Sequence, residues 1–409
     1  MKEVSVSSAR SGEAADPATR EDGRSAAPLT VWNKLGKWYT FAAVSLLNSV
    51  LLFLLLNLLL YPIMLAKRPT KMPTPMDQYG RDKILRAYPG WREADVDALM
   101  TETWHKLTFG YEPFVQFKEM PFRGRFINVD PAGFRISKNQ APWPPRPEAF
   151  NVFVFGGSTT FGIGLPDDET IASYLQECAR ANGSAPPLAV YNFGRQAYFS
   201  SQELILFQEL LKAGFAPQAA VFIDGLNDFY EAEGQPWFTK RLRRLWAGED
   251  RPSLLDNVPM VWAAHRASRH WKKPQPQKAT DYADPVVLQD IIDRWLANKK
   301  MIETIAGRFG VRTIFVVQPA PTYKYDLRYH FLLNSDAEYS YFWPRGKYGY
   351  ALMENLRAQG KLGPNVLWLA DMQQDKRENL YVDAVHYNAP FSRAIAAQIC
   401  GFLEQPGHR

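Results

Sequence analysis

Five short apolar runs, spaced along the chain with helical stretches between them, constrain the fold most strongly. The runs are Asn151–Phe155, Leu188–Phe193, Ala219–Ile223, Arg312–Val317 and Val366–Leu369. Helical patterns lie near residues 170–182, 201–213, 286–309 and 390–404. Near-continuous apolar runs are typical of parallel strands that are buried on both faces. The alternation therefore predicts an α/β fold with a doubly wound parallel sheet over residues 151–404.

One section of the predicted domain departs from this alternation. Residues 230–284 are rich in tryptophan and in basic side chains and contain none of the apolar runs. They are interpreted as an insertion that covers a site or lies near a membrane. A solvated excursion without a function remains an equal alternative.

A long uncharged segment precedes the domain. No charged residue lies between Lys37 and Lys67, and a bilayer core needs about 20 apolar residues. The sequence therefore predicts a transmembrane helix over residues 39–66, after a disordered polar tail over residues 1–38. Residues 67–150 are predicted to be a linker and an accessory region. A buried core helix is the alternative for the apolar segment, which is too long for a signal-peptide core.

Charge and cysteine content exclude several classes of protein. The chain has 48 basic and 42 acidic residues, a mild excess, and it lacks zinc-ligand clusters and RNA-binding signatures. No nucleic-acid partner is expected. Two cysteines are too few for a disulfide-dense scaffold. Cys178 and Cys400 lie in the first and last predicted helices of the domain, and either one disulfide or two buried thiols is compatible with that position.

Four polar segments follow the predicted strands. Ser158 comes after the first run and two glycines, and Gly194 follows the second run. The segment Gly225-Leu-Asn227-Asp228 follows the third run, and Asp383 and His386 lie between the last run and the last helix. In open α/β sheets, ligands bind at the carboxyl ends of the strands. These residues are therefore expected to meet in one crevice.

The residue types in these segments suit ester cleavage. A serine hydroxyl needs an adjacent base, and histidine titrates near neutrality. Asp383 can accept the Nδ1–H of His386 and leave Nε2 to take the proton of Ser158. The oxyanion of the tetrahedral intermediate is predicted to be bound by the N–H groups of Ser158 and Gly194 and by the side-chain amide of Asn227. Taken singly, the same residues can also be a helix cap, turn formers or a surface histidine.

The arrangement resembles the SGNH, or GDSL-type, serine hydrolase superfamily, which is named for a Ser, Gly, Asn and His in four separate blocks. Ser158, Gly194, the Gly225-Leu-Asn227-Asp228 run and the Asp383/His386 pair match those blocks in order. The first block departs from the family pattern, because Gly157-Ser158-Thr159 replaces Gly-Asp-Ser. The resemblance covers residues 151–404 and implies a flavodoxin-like three-layer fold in a divergent, membrane-anchored bacterial member. The α/β-hydrolase fold is less suitable, because its Gly-x-Ser-x-Gly motif would need glycine at position 160.

The resemblance implies a membrane-anchored serine esterase that acts on an acyl ester of an envelope glycan or lipid, with no cofactor and no metal. One alternative is an O-acyltransferase of a cell-surface polysaccharide. Another is a non-catalytic polysaccharide-binding or assembly subunit with a relic site. The expected location is the bacterial inner membrane, in a single pass, with the catalytic domain in the periplasm. Four tryptophans of the insertion are candidates for stacking on sugar rings: Trp237, Trp246, Trp262 and Trp271.

Overall fold

The computed structural model describes residues 27–67, 73–181, 188–247, 257–271, 280–333 and 344–405. The chain divides into two compact units. The first contains the chain up to Arg68 together with Pro252–Lys273, and the second contains Pro69–Arg251 and Pro274–Arg409.

The helices and strands are numbered in chain order. The helices are α1 (Ala27–Lys67), α2 (Pro75–Tyr79), α3 (Arg81–Leu85), α4 (Glu93–Thr101), α5 (Ser158–Phe161), α6 (Ile171–Ala181), α7 (Ser200–Lys212), α8 (Leu226–Tyr230), α9 (Thr239–Trp246), α10 (Pro259–Trp271), α11 (Pro285–Arg308), α12 (Pro344–Ala358) and α13 (Ala389–Glu404). The strands are β1 (Phe109–Glu112), β2 (Gln116–Glu119), β3 (Phe122–Arg123), β4 (Asn128–Val129), β5 (Phe150–Gly156), β6 (Leu188–Asn192), β7 (Ala219–Asp224), β8 (Arg312–Val317) and β9 (Val366–Trp368).

The first unit is built on the long apolar helix α1. Its stretch Val31–Lys67 is long and apolar enough to cross a membrane, with a mean hydropathy of 2.4 in its most apolar window. The helix begins at Ala27, so residues 27–38, which were predicted as disordered tail, are helical. The physical reason is that the helical backbone continues beyond the apolar segment. Residues 1–26 of the predicted tail lie outside the described residues.

Helix α10 packs against α1 within the same unit. The Met260 backbone N–H donates to Oδ1 of Asn57 at 3.0 Å. Asn57 is a polar residue of the apolar helix α1. The bond satisfies a backbone N–H in the first turn of α10, where the N–H groups have no partner within their own helix. The predicted insertion therefore has a helix in each unit, because α9 belongs to the second one.

The second unit has a five-stranded parallel sheet in the order β6-β5-β7-β8-β9. The first strand of the sheet, β5, is therefore an inner strand. The next strand, β6, lies on one side of β5, and β7, β8 and β9 follow in turn on the other side. This is a doubly wound topology, and the reversal beside β5 creates a crevice at the carboxyl ends of the strands. The prediction of a doubly wound parallel α/β sheet is confirmed.

Both faces of the sheet are buried, which explains why the strands are continuously apolar. The rings of Phe155, Phe222 and Phe315 stack across three strands, with centroids 4.8 and 5.3 Å apart, and lie in the core with residues of α7 and α11. On the other face, Val154 and Val221 lie in a second core with residues of α6 and α13. The sheet and the two helical faces form the three layers.

A disulfide connects the two helices of one face. Cys178 on α6 and Cys400 on α13 are bonded across 222 residues of sequence, with Cα atoms 6.5 Å apart. Of the two alternatives that the sequence left open, the structure therefore has the disulfide. It links the first long helix of the sheet domain to the last.

The accessory region shares the core of the sheet domain. Its apolar residues, including Ile84, Val96 and Leu99, belong to the same cluster as Phe155 and Phe222. The backbone of Arg135 bridges to Asn192 at the edge of β6, with the Arg135 N–H donating to the Asn192 carbonyl at 2.9 Å. Residues 73–149 are therefore part of the second unit and not a separate domain.

Candidate active site

The sharp connection between β5 and α5 exposes the hydroxyl of Ser158. The strand ends at Gly156, and Gly157 precedes the single turn of α5. A Cβ at Gly157 would lie only 2.3 Å from Nδ2 of Asn227. Glycine is therefore required there, because a side chain would displace the asparagine that lies beside the serine.

Ser158, His386 and Asp383 form one hydrogen-bonded chain. Oγ of Ser158 lies 2.8 Å from Nε2 of His386, and Nδ1 of the same ring lies 2.6 Å from Oδ2 of Asp383. Ser158 follows β5, and Asp383 and His386 lie in the loop before α13. Ser158 and His386 are 228 positions apart in the sequence. The sequence prediction that these residues meet agrees with this geometry.

A tight loop holds Asp383 in place. Its Oδ1 accepts the backbone N–H groups of Val385 and His386, both at 2.9 Å. Burial alone would raise the pKa of Asp383, but His386 and these N–H donors outweigh it and lower the pKa below its usual value. The carboxylate is therefore ionised at neutral pH and can hold the imidazole with its proton on Nδ1.

The loop after β8 supports both sides of this chain. The Thr159 hydroxyl, next to Ser158, donates to Oε1 of Gln318 at 2.7 Å. The Tyr387 hydroxyl, next to His386, donates to the Pro319 carbonyl at 2.6 Å. Thr159 and Tyr387, the neighbours of Ser158 and His386, are thus both hydrogen-bonded to the loop after β8. These bonds help to keep Oγ of Ser158 close to Nε2 of His386.

Besides the N–H of Ser158, the side-chain amide of Asn227 is a predicted oxyanion donor that lies near the serine. Asn227 lies in the first turn of α8, and its Nδ2 donates one hydrogen bond to the Tyr198 carbonyl at 2.7 Å. That bond leaves the second hydrogen of the amide unassigned. The same Nδ2 lies against Gly157, so the amide is adjacent to the backbone of Ser158.

Gly194 lies just beyond β6 as predicted, but its N–H has a different acceptor from the predicted oxyanion. Its N–H donates to Oδ1 of Asn192 at 3.0 Å and is therefore already used. A Cβ at Gly194 would lie 2.5 Å from the Phe161 backbone nitrogen, so glycine is needed there for close packing against α5. The prediction that its N–H faces an oxyanion does not agree with this hydrogen bond.

Ala197 is a candidate donor that the sequence did not indicate. It has a φ of 57°, a left-handed conformation that is uncommon for alanine. Among the described residues no acceptor is found for its N–H. The next residue, Tyr198, is held beside Gly157 by Asn227. The Ala197 N–H therefore has no acceptor within the described part of the chain, one residue before the Tyr198 carbonyl that lies beside Gly157.

A cavity of about 350 Å³ opens beside the loop after β8. Its walls include Pro321 and Thr322, which lie in the same loop as Gln318 and Pro319, after Ala320. The lining also includes aromatic and basic side chains, namely Tyr282, Lys324, Tyr325, Lys347 and Tyr348, beside Asp281 and the apolar Ala283, Leu327 and Pro344.

Comparisons with known proteins give only distant similarities. No protein-family model and no curated protein matches the sequence. Among solved structures, a lipolytic G-D-S-L family member from Veillonella parvula is similar at 11% identity and TM-score 0.35, covering 63% of this chain and 100% of its own. A GDSL-like lipase from Bacteroides thetaiotaomicron is similar at 13% identity and TM-score 0.33, covering 63% and 91%. An acetyl xylan esterase is similar at 15% identity and TM-score 0.31, covering 62% and 99%.

These values are too low to carry an activity or a substrate to this chain. The assignment depends on the molecule itself: the strand order, the position of Ser158 after the first strand of the sheet, and the contacts of His386 and Asp383. The chain thus has a doubly wound parallel α/β fold in which Ser158, Asn227 and His386, which match the SGNH pattern, lie at one edge of the sheet.

Proposed function

We propose that this protein is a membrane-anchored serine esterase that acts through an acyl-enzyme on Ser158. The observation that carries the proposal is the continuous hydrogen-bonded chain from Ser158 through His386 to Asp383. A serine hydroxyl is a weak nucleophile unless a base accepts its proton in the attack. The ring nitrogen at 2.8 Å from Oγ is within reach for that transfer.

In the first half of the reaction, Oγ attacks the ester carbonyl carbon while its proton passes to Nε2 of His386. The tetrahedral intermediate collapses, the alcohol leaves with the proton from Nε2, and an acyl group stays on Ser158. In the second half, water attacks the acyl-enzyme and gives its proton to His386. The carboxylic acid is then released, and the proton returns to Oγ.

The oxyanion is assigned to three donors: the N–H of Ser158, the N–H of Ala197 and the side-chain amide of Asn227. The support for Ala197 is an N–H without an acceptor among the described residues and a left-handed turn next to Tyr198, whose carbonyl lies beside Gly157. Gly194 is not retained as a donor, because its N–H binds Asn192.

Asn227→Ala is expected to reduce kcat by about 10²- to 10³-fold with little change in KM. The reason is that the amide would bind the oxyanion of the transition state and not the ground-state ester. Initial rates on a soluble chromogenic ester measure this effect. Asn355→Ala, at an exposed position of α12, is the matched control and should keep the wild-type kcat. An unchanged kcat for Asn227→Ala would remove the residue from the oxyanion site.

The cavity beside the loop after β8, which Ser158 and His386 do not line, has features that suit a sugar better than an acyl chain. Tyrosine faces stack on sugar rings, and lysine and threonine side chains bind hydroxyl groups, whereas an acyl chain needs an apolar channel. Tyr282, Tyr325 and Tyr348 line the cavity together with Lys324 and Lys347. The proposed substrate is therefore an acylated sugar unit of an envelope polysaccharide.

The tryptophans of the insertion give weaker support. Trp237 and Trp246 are exposed in the second unit, with Trp246 90% exposed. Trp262 lies on α10, near the guanidinium of Arg266. The side chain of Trp271 lies outside the described residues.

The proposed location is the periplasmic side of a bacterial inner membrane. Disulfides persist in oxidising compartments and are rare in the cytosol, and Cys178–Cys400 lies within the sheet domain. The apolar helix α1 supplies a segment long enough for a single pass. The basic residues, Lys34 and Lys37 before the span and Lys67, Arg68 and Lys71 after it, slightly favour the opposite orientation. Large following domains, however, translocate largely regardless of charge.

The proposal is tested by incubating the detergent-solubilised full-length protein with O-acetylated oligosaccharides and, separately, with a phospholipid. We expect acetate release from the oligosaccharide and none with Ser158→Ala. Faster acyl transfer to an added unacetylated oligosaccharide than to water would instead favour the O-acyltransferase. Oligosaccharide binding without turnover by either route would favour the non-catalytic subunit.

A further inference from the structure

Three buried carboxyl groups surround the turn that carries Asn227. Glu203 on α7, Asp224 at the end of β7 and Asp228 on α8 are 1%, 4% and 2% exposed. Glu203 and Asp224 lie within hydrogen-bonding reach of each other. Asp224 and Asp228 lie on either side of Gly225-Leu226-Asn227, so this cluster holds both ends of the turn.

The donors around the cluster are too few for three carboxylates. Trp295 donates to Oδ2 of Asp224 at 3.3 Å, and the Ser200 hydroxyl donates to Oδ1 of Asp228 at 2.6 Å. Both carboxyl oxygens of Glu203 and one oxygen of each aspartate have no donor among the described residues. The buried hydroxyl of Tyr350 also lacks a partner there.

Side chains of α11 and α12 surround the three carboxyl groups. From α11, the Arg294 guanidinium faces Asp228 and donates to its backbone carbonyl at 2.9 Å. From α12, the Tyr350 hydroxyl lies where a Cβ of Gly225 would approach it to 2.5 Å. The uncharged Asn298 of α11 donates to Ser200. Arg294 therefore faces one of the three carboxyl groups, that of Asp228.

Two adjacent carboxylates cannot both be ionised in a buried site without a large cost, and such a pair holds a proton. Burial raises the pKa of Glu203 well above its usual range, and the charges of Asp224 and Asp228 raise it further. Burial, followed by the charge of Asp228, raises the pKa of Asp224 to about 8. In the described residues no group of three or more such side chains is arranged to hold a metal ion.

We propose that Glu203 is a positioning residue: its protonated carboxyl donates to Asp224, and this bond fixes the turn that presents Asn227. The inference rests on the proposed function, since it deepens the role given to Asn227. Loss of the shared proton places two carboxylates in contact at the base of the turn. Their repulsion moves Asp224 and the asparagine that follows it, while the Ser158–His386 contact remains.

The pH dependence follows from the direction of these shifts. A carboxyl group whose pKa is raised by folding favours the folded state at low pH, and that contribution is lost as the pH rises through the raised pKa. The wild type should therefore lose thermal stability progressively as the pH rises from the ordinary carboxyl range towards the raised pKa values of Glu203 and Asp224, and kcat should fall where the shared proton is lost. KM should change little, because Asn227 acts on the transition state.

Glu203→Gln is the decisive variant. A glutamine amide donates to Asp224 as the protonated acid does, but it does not titrate. We expect its kcat at neutral pH to stay within about threefold of wild type and its alkaline limb to move upward by at least about one pH unit. Glu209→Gln, a partly exposed position on the same helix, should keep the wild-type profile. Identical alkaline limbs for wild type and Glu203→Gln would overturn the proposal.

A second readout separates this proposal from the proposed function. The melting temperature of wild type should fall between about pH 6 and about pH 9, and that of Glu203→Gln should fall by less than half as much. This comparison needs no substrate, so it tests the shared proton even if no ester is turned over. Parallel melting curves for the two proteins would show that Glu203 holds no such proton and would overturn the proposal.

Discussion

Ser158→Ala is expected to lower kcat for ester hydrolysis by about 10⁴- to 10⁶-fold, the largest effect expected of any single substitution in this chain. The reason is that the alanine variant has no nucleophile to form an acyl-enzyme. His386→Ala should lose about as much, because without the base the serine hydroxyl keeps its proton. Residues of one nucleophile–base pair act as a unit, so the double variant should be no slower than either single variant.

Steady-state kinetics on a chromogenic ester measure this loss in detergent-solubilised full-length protein. Ser268→Ala and His265→Ala are matched controls, because both residues are exposed on α10 and lie outside the sheet domain. They should keep wild-type rates. Additive losses in the double variant, or a Ser158→Ala protein that retains more than about one tenth of the rate, would contradict an activated serine.

Arg135→Ala is expected to destabilise the protein by about 3–5 kcal/mol, the largest effect expected on stability. The guanidinium is fully buried. It donates to the carbonyls of Phe161, Gly162 and Leu165 at 2.8, 2.6 and 2.6 Å and to Oδ1 of Asp167 at 2.9 Å. Alanine would leave these acceptors without a donor in the interior.

The affected segment begins at α5, so the substitution should also disturb Ser158. Chemical unfolding monitored by circular dichroism measures the stability, with Arg92→Ala as the exposed arginine control, for which little change is expected. Arg135→Lys keeps the charge but cannot reproduce the fork of donors, so an intermediate loss is expected. Equal stabilities for Arg135→Ala and Arg92→Ala would show that the buried hydrogen bonds contribute little.

The sheet could be predicted because each strand is recognisable from its own residues. Strands buried on both faces must be apolar throughout, so the run Asn151–Phe155 marks β5, observed at Phe150–Gly156. The run Ala219–Ile223 likewise marks β7, observed at Ala219–Asp224. Ser158, Asp383 and His386 were indicated by their places after such strands. Their meeting follows from the topology, because the strand ends share one edge.

The parts that the sequence did not indicate depend on contacts between distant residues. The N–H of Gly194 is taken by Asn192, which depends on the path of the chain after β6. Ala197 was missed because alanine does not signal a positive φ, in contrast to glycine. The sequence gives no sign that Arg135 and Glu203 are buried, and the structure buries both. The start of α1 was misplaced because polar residues before an apolar segment can continue its helix.

Labelling of Ser158 with a fluorophosphonate tests the central claim most directly, because this probe forms a covalent bond only with a serine whose hydroxyl is activated. The assay compares detergent-solubilised wild type with Ser158→Ala and His386→Ala, each shown to be folded by its melting curve. We predict that wild type is labelled at Ser158, with loss of fluoride, and that neither variant is labelled. A folded wild type that resists labelling, or labelling that persists in Ser158→Ala, would contradict the account.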